Sequence, residues 1–361
     1  MPILIGYSRQ NYFAMKKILK LFCFIFPFIG CYSQKLEKEK SYYLSAIGFW
    51  NLENLYDTIN DVWKNDEDFT PEGVNAWTAS RYWHKIDHLA EVIEQMATDV
   101  CPDGLAIIGL CEVENKSVVL DLIHHQSLKK RNYQCVHIEG PDARGVDPSF
   151  VYNPRYFQVI KSLAYPVHLP SEPNHKTRDI LVVSGLFNGE ALTVLVNHWP
   201  SRRGGELVSR NNRNAAARLA RHIADSVEKQ NQNAKIVIMG DLNDDPLNES
   251  VKKGIGTYND SRFDAKGLYY NPMEKLFVQG TGTLAWQDAW NLFDQTILNA
   301  NWLNQDFKTW QFYAVRIFNK AFLRADYGAF KGYPLRTYSS GTYTGGYSDH
   351  FPVYFLIAKE R

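Results

Sequence analysis

Short apolar runs, each closed by polar or turn-forming residues, recur along the chain and predict buried β-strands. They span Ala46 to Asn51, Leu105 to Leu110, Ser149 to Tyr152, Ile180 to Phe187, Leu192 to Val196 and Ile236 to Met239. Thr283 to Trp290, Gln295 to Leu298 and Val353 to Ile357 continue the series in the last third. Their apolar character is continuous rather than alternating, as in strands covered on both faces of a sandwich core. Two segments carry the helical period instead. Between Trp77 and Met96 the apolar positions are Trp83, Ile86, Leu89, Ala90 and Ile93, which predicts an amphipathic helix lying on a sheet. Glu206 to Gln230 predicts a long helix with Arg and Asn concentrated in its first turns. There is no internal repeat and no low-complexity linker, so residues 46–361 read as one α/β domain.

Composition supports that reading. Of 361 residues, 45% are hydrophobic and 22% charged, enough to build a large core and unlike disordered, collagenous or disulfide-scaffold chains.

The first 33 residues read differently from the rest. Met15-Lys16-Lys17 followed by Ile18 to Gly30 has the charged start and short apolar stretch of a signal peptide, with Met15 an alternative start and residues 1–14 lying upstream of it. The run is too short for a spanning helix. Two processing routes stay open: cleavage after Ser33, giving a secreted or periplasmic protein, or lipidation of Cys31 in the loose lipobox Phe28-Ile29-Gly30-Cys31, giving a membrane-anchored lipoprotein. Both export the chain. Residues 34–45, opening with Gln34 to Ser41, read as a polar tether.

Removing residues 1–33 takes away Arg9, Lys16, Lys17 and Lys20 and no acid, so the formal charge falls from +1 to −3. A mildly acidic body cannot hold a polyanion by overall charge, which excludes a simple nucleic-acid-coating protein and leaves binding to local patches and metal ions. Cys101, Cys111 and Cys135 remain, an odd number with no zinc-ligand spacing, so at least one thiol is free.

The candidate chemistry sits where strands end. Glu112 emerges from an apolar run, where a carboxylate needs a partner or a metal. Asp241 and Asn243 follow the run ending at Met239, and an extended chain would put both on one face. Asp349-His350 precedes the final strand and supplies a carboxylate beside an imidazole. Asn51 and Glu53 leave the first strand on a common face, His198 follows the strand ending at Val196, and Asp294 is placed to orient His350 as a buried Asp orients a catalytic imidazole. Arg202, Arg203, Arg210 and Arg213 could grip flanking phosphates, or be ordinary solvated arginines. Trp302, Trp310, Phe312, Tyr313, Tyr333 and Tyr338 could stack bases, or be packing.

Taken in order, with Gly240-Asp241-Leu242-Asn243 and Ser348-Asp349-His350 as the most specific pieces, the set resembles the endonuclease/exonuclease/phosphatase superfamily over roughly residues 46–357. The resemblance implies an α/β four-layer sandwich, two mixed β-sheets flanked by helices, with the site at one end. It implies Glu112 as main metal ligand, with Asn51, Glu53 and Asp349 near the ion. Asp241 would activate water, Asn243 would bond the scissile phosphate, and His350, held by Asp294, would act as base or transition-state stabiliser. His198 would donate to the phosphoryl oxygen or leaving group, and Arg144 would contact phosphate. The implied cofactor is Mg²⁺, with Mn²⁺ or Ca²⁺ as alternatives. Asp244-Asp245-Pro246 and Phe293-Asp294-Gln295 depart from the inositol-polyphosphate phosphatase pattern, whereas Asn51 to Thr58 and Gly345 to His350 look like bacterial secreted nucleases. The expected substrate is nucleic acid, DNA before RNA, with no obligate protein partner. The alternatives are a lipid or small-molecule phosphoesterase of the same fold, and a surface module that has lost catalysis.

Overall fold

The computed structural model describes residues 36, 37, 39–260 and 267–361; the segment read as a signal peptide, with Cys31, lies outside the described residues. In chain order the strands are β1 (Tyr42–Leu55), β2 (Ile107–Val113), β3 (Gln134–His137), β4 (Asp147–Tyr152), β5 (Phe157–Tyr165), β6 (Ile180–Phe187), β7 (Glu190–His198) and β8 (Lys235–Asp241). They continue as β9 (Thr257–Tyr258), β10 (Tyr269–Tyr270), β11 (Leu284–Trp286), β12 (Ala289–Asn291), β13 (Asp294–Leu298), β14 (Gln311–Ile317), β15 (Tyr338–Ser339), β16 (Thr342–Tyr343) and β17 (Val353–Glu360). The α-helices are α1 (Ala79–Gln95), α2 (Lys116–Ile123), α3 (Glu206–Gln230) and α4 (Met273–Val278).

One sheet runs β14-β17-β1-β2-β4-β3 and the other β5-β6-β7-β8-β13-β10-β9. Both are mixed. The pairs β1/β2 and β7/β8 are parallel, while β17 and β13 run antiparallel to β1 and β8. The sheets face each other across a core that includes Ile47, Phe49, Ile107, Val194, Val196, Val237, Met239 and Phe355.

Their other faces are covered as well, because side chains alternate along a strand. Trp50, Leu52, Ile108 and Leu110 pack under α1 and α2, and Leu195, Ile236 and Ile238 under α3. The four-layer sandwich implied by the resemblance is therefore present, and two-sided burial explains the unbroken apolar runs. Gly109 marks a close approach of the sheets: a Cβ there would lie 2.6 Å from the Met239 sulfur.

Several sequence expectations change in detail. β1 begins at Tyr42, inside the stretch read as tether, because its first residues pair with Glu360 and Lys359 of β17. Thr283 to Trp290 is not one strand but the hairpin β11–β12, turning at Gln287 and Asp288, both with positive φ. In α1 the buried face carries Tyr82 and Lys85, and Trp83 is 49% exposed. β3, β5, β14 and α2 carried no legible signal. β5 lies at a sheet edge, and its alternation is blurred by a register shift between Val159 and Lys161, with Ile160 exposed.

His137 at the edge strand β3 yields a pH prediction. Burial, with the Lys116 charge adding, pushes its imidazole down to about 4, and Nδ1 lies 2.6 Å from Ser149 Oγ. The fold thus keeps His137 neutral while the unfolded chain protonates near 6.5, so stability is lost as pH falls from 6.5 towards 4. The urea midpoint should decline across that window, and less steeply in His137→Gln. An equal slope in the variant would rule out this origin.

Candidate active site

Parallel pairing sends the C-terminal ends of β1, β2, β7 and β8 to one end of the sandwich, and antiparallel pairing brings the starts of β13 and β17 to the same end. Asn51, Glu112, His198, Asp241, Asp294, Asp349 and His350 are thereby gathered from distant parts of the chain. The exits are sharp. Glu53, Asn54, Glu112 and Asn243 have φ of 53°, 56°, 57° and 49°, left-handed values that cost non-glycine residues on the order of 1–3 kcal/mol each and concentrate at functional sites. The β1–β2 register shifts between Asn51 and Leu55, which turns the segment carrying Glu53 out of the ladder. Gly240 is needed for another reason: a Cβ there would collide with the Asn197 carbonyl oxygen.

Asp241 is the hub. Its Oδ2 accepts from Asn51 Nδ2 at 3.1 Å and lies 3.8 Å from His198 Nε2 and 3.9 Å from His350 Nε2. Its Oδ1 accepts from the Asn243 amide at 2.9 Å, so the chain turns after Asp241 rather than staying extended, and the Asn243 side chain donates to the Trp199 carbonyl. Burial pushes the Asp241 carboxyl up to about 6, against the His350 charge and with the Asp294 charge adding.

His350 is held on three sides. Nδ1 lies 2.7 Å from Asp294 Oδ2, Nε2 lies 3.8 Å from Asp349 Oδ1, and its carbonyl accepts from Trp50 Nε1 at 2.8 Å. Ser348 Oγ donates to the Asn51 carbonyl and accepts from the His350 amide, tying this segment to β1. Burial opposes a charge on the ring, but the Asp294 carboxylate outweighs it, aided by Asp349 and Asp241, and holds the imidazole well above its usual range. His198 behaves oppositely: burial, with Arg178 and Arg144 adding, pushes it well below, so it is neutral at pH 7. The two imidazoles beside Asp241 are therefore biased in opposite directions, His350 towards the charged form and His198 towards the neutral one.

Glu112 Oε2 accepts from the Asn54 amide, while Oε1 has Arg144 Nη2 and His198 Nε2 each at 3.7 Å, outside hydrogen-bond distance. Arg144 is steered by Asp142 at 3.8 Å and remains 43% exposed. Glu53, expected near the ion, already has two donors: Arg336 Nε donates to one of its oxygens at 3.1 Å and the Thr337 amide to the other at 2.7 Å. Burial first, then the Asp349 charge, pushes its carboxyl up to about 7.

The arginine cluster after His198 is not laid out as a phosphate grip. Arg202 donates to the Asn243 carbonyl, Asp244, Asp245 and Asn248, and lies over the Phe293 ring. Arg213 is fully buried against Asp244 at 2.7 Å, and Arg210 pairs with Glu206. Arg202 and Arg213 brace the turn carrying Asn243; Arg203 is exposed. Trp302, Trp310 and Phe312 belong to the core, Tyr333 packs on Trp290, and Tyr338 on Phe69 and Trp77. Sequence reasoning missed Arg336, Lys85 and Arg178 as contributors to this end of the sandwich, because none of them is the carboxylate, amide or imidazole that closes an apolar run.

Among the described residues no three carboxylates, imidazoles or thiols form a ready cage for an ion. The donor set nevertheless fits a hard cation that keeps most of its water, as Mg²⁺ does with one or two carboxylates. Among the described residues Glu112 Oε1 has no hydrogen bond; Asp241 lies across His198 Nε2 from it, and Asp349 lies across His350 Nε2 from Asp241.

The chain belongs to the Endonuclease/Exonuclease/phosphatase family, whose model matches residues 46–359. Members of this superfamily are phosphoester hydrolases, and the fold here is that of a phosphoesterase. No curated protein matches the sequence. Among solved structures, D. rerio TDP2 complexed with single strand DNA product is similar at 15% identity, covering 87% of this chain and 98% of that one with a TM-score of 0.50. An endonuclease/exonuclease/phosphatase family protein from Bacteroides thetaiotaomicron matches at 15% identity over 89% and 100%, with a TM-score of 0.52. A mannosyl-6-phosphatase from the same organism matches at 16% identity over 87% and 99%, with a TM-score of 0.52.

Proposed function

We propose that this chain is an exported, divalent-metal-dependent phosphodiesterase that hydrolyses nucleic acid, DNA before RNA. The observation carrying the chemistry is the Asp294–His350 pair set against Asp241 and Asp349, with Glu112 beside them. Glu112 would hold the cation, with Asn51 and Asp349 close to it or to its waters; Glu53, both oxygens occupied, would support the rim instead. A bound Mg²⁺, Mn²⁺ or Ca²⁺ would neutralise charge growing on the phosphoryl oxygens.

The protein's own groups divide the remaining work. Asp241, its carboxyl lifted towards neutrality, is suited to take a proton from the attacking water. Protonated His350 donates from Nε2 to a phosphoryl oxygen, which favours the stabiliser role over the general base. Neutral His198 offers Nε2 to the leaving group's side, Asn243 its remaining amide hydrogen, and Arg144 its exposed guanidinium.

The nucleic-acid assignment draws support from the DNA product held by one structural relative, and the small-phosphoester alternative from another being a mannosyl-6-phosphatase. Supercoiled plasmid, RNA, sphingomyelin and a sugar 6-phosphate, each with Mg²⁺, Mn²⁺ or Ca²⁺, separate them. Plasmid relaxation that needs the cation and stops with EDTA is the expected result. Intact plasmid alongside turnover of a small ester or lipid would reject the nuclease, and chelator-resistant turnover would reject the metal. Export is tested by fractionating the native host, with retention in the cytoplasm as the opposing outcome.

A further inference from the structure

Arg336 stands at the mouth of the site on a loop that the chemistry above does not use. Its Nε donates to Glu53 at 3.1 Å and its Nη2 to Asp349 at 2.9 Å, with the side chain 46% exposed. A guanidinium carries five N–H donors, so three remain without a partner among the described residues. Behind it, Lys85 of α1 is 1% exposed, donates to Thr337 Oγ1 at 2.5 Å and to the Tyr347 carbonyl at 2.8 Å, and lies 3.8 Å from Glu53 Oε2. One buried ammonium thus ties both ends of the 337–347 loop. Gly346 closes it, since a Cβ there would collide with the Leu335 and Arg336 carbonyl oxygens.

Burying a lysine is costly, and a surface ion pair between Arg336 and Asp349 would not by itself require it. The arrangement is suited to fixing the direction of a planar fork that matches phosphate. Arg144 stands beside Glu112 and Arg336 beside Asp349, so a phosphoryl group among these carboxylates and a cation would meet a guanidinium from each. We propose that Arg336 contacts a non-bridging phosphoryl oxygen of the substrate and that Lys85 and Glu53 are positioning residues that aim it. This rests on the phosphoesterase reading but not on the nucleic-acid assignment.

The test compares wild type with Arg336→Ala, Arg336→Lys and Lys85→Met, on an oligonucleotide and on bis(p-nitrophenyl) phosphate, with inorganic phosphate as inhibitor. Arg336→Ala should lower kcat/KM roughly 10²–10³-fold, by analogy with loss of one preorganised donor, and weaken phosphate inhibition about 10-fold. Added guanidinium chloride at low concentration should restore part of the Ala variant's activity, which a merely structural loss would not allow. The Lys variant keeps the charge, loses the fork, and should stay well below wild type. Lys85→Met should show a similar loss without rescue, and adding it to Arg336→Ala should cost little more. Wild-type phosphate affinity in Arg336→Ala, or lost activity with lowered melting temperature and no rescue, would overturn the assignment. Should wild type cleave only the small ester, the nucleic-acid reading fails while the Arg336 comparison still reads out on that ester. Direct titration with inorganic phosphate reads the same contact without turnover.

Discussion

His350→Ala should lower kcat/KM for phosphodiester hydrolysis roughly 10²–10⁴-fold, the range for losing a positioned proton donor or acceptor. The ring sits at the meeting point of three carboxylates, with Nδ1 at 2.7 Å from Asp294 and Nε2 facing Asp241 and Asp349. Its backbone is held independently through Trp50 and Ser348, so truncation should leave the loop in place and the melting temperature little changed. Asp294→Asn should give a smaller fall, because it removes the charge that favours the imidazolium while leaving the ring. The double variant should be no slower than His350→Ala, since Asp294 acts through the imidazole. Steady-state kinetics with metal-saturated enzyme decides this. Full activity in His350→Ala would refute the mechanism, and additive losses would give Asp294 a separate role.

The largest expected loss of stability comes from Asp244→Ala. Its carboxylate lies 2.7 Å from fully buried Arg213, accepts from Ser250 at 2.6 Å and from Arg202 at 3.2 Å. Removing it leaves the buried guanidinium with only the more exposed Glu206 carboxylate, 3.9 Å away, as counter-charge, and breaking such a buried pair typically costs about 3–5 kcal/mol. Urea unfolding should show the midpoint shifting with an unchanged slope. The pair Asp244→Leu with Arg213→Met should recover much of the loss, because replacing both members of a buried ion pair is often close to neutral. A single variant within about 1 kcal/mol of wild type would show that Arg213 finds another partner.

The structure returns most of the architecture that the apolar pattern suggested, for a specific reason. Strands such as β7 and β8 are covered on both faces, so burial left an unbroken signature in their composition. Edge strands such as β5 bury one face incompletely and left none. The strand-end residues were legible because buried runs that end at Glu112 and Asp241, or open at Asp294, are chemically unusual. Arg336 and Lys85 were not, since one lies in an irregular loop and the other occupies an ordinary helical position made special only by what folds over it. The arginines after His198 misled for the converse reason. Sequence displays charge but not its direction, and Arg202 and Arg213 turn inward to Asn243 and Asp244.

The left-handed exits at Glu53, Glu112 and Asn243 also bear on engineering. At an ordinary turn such a residue invites replacement by glycine, which relieves the backbone and raises heat tolerance. Here each of these side chains is also one that the proposed chemistry places at the rim, so on that reading the route to a hardier enzyme is closed at those three places. Any thermotolerant version has to find its gains elsewhere, at positions such as Ala76 and Ala97, whose φ of 43° and 62° serve no side-chain chemistry. Selection for activity and selection for robustness therefore pull on separate parts of this sequence.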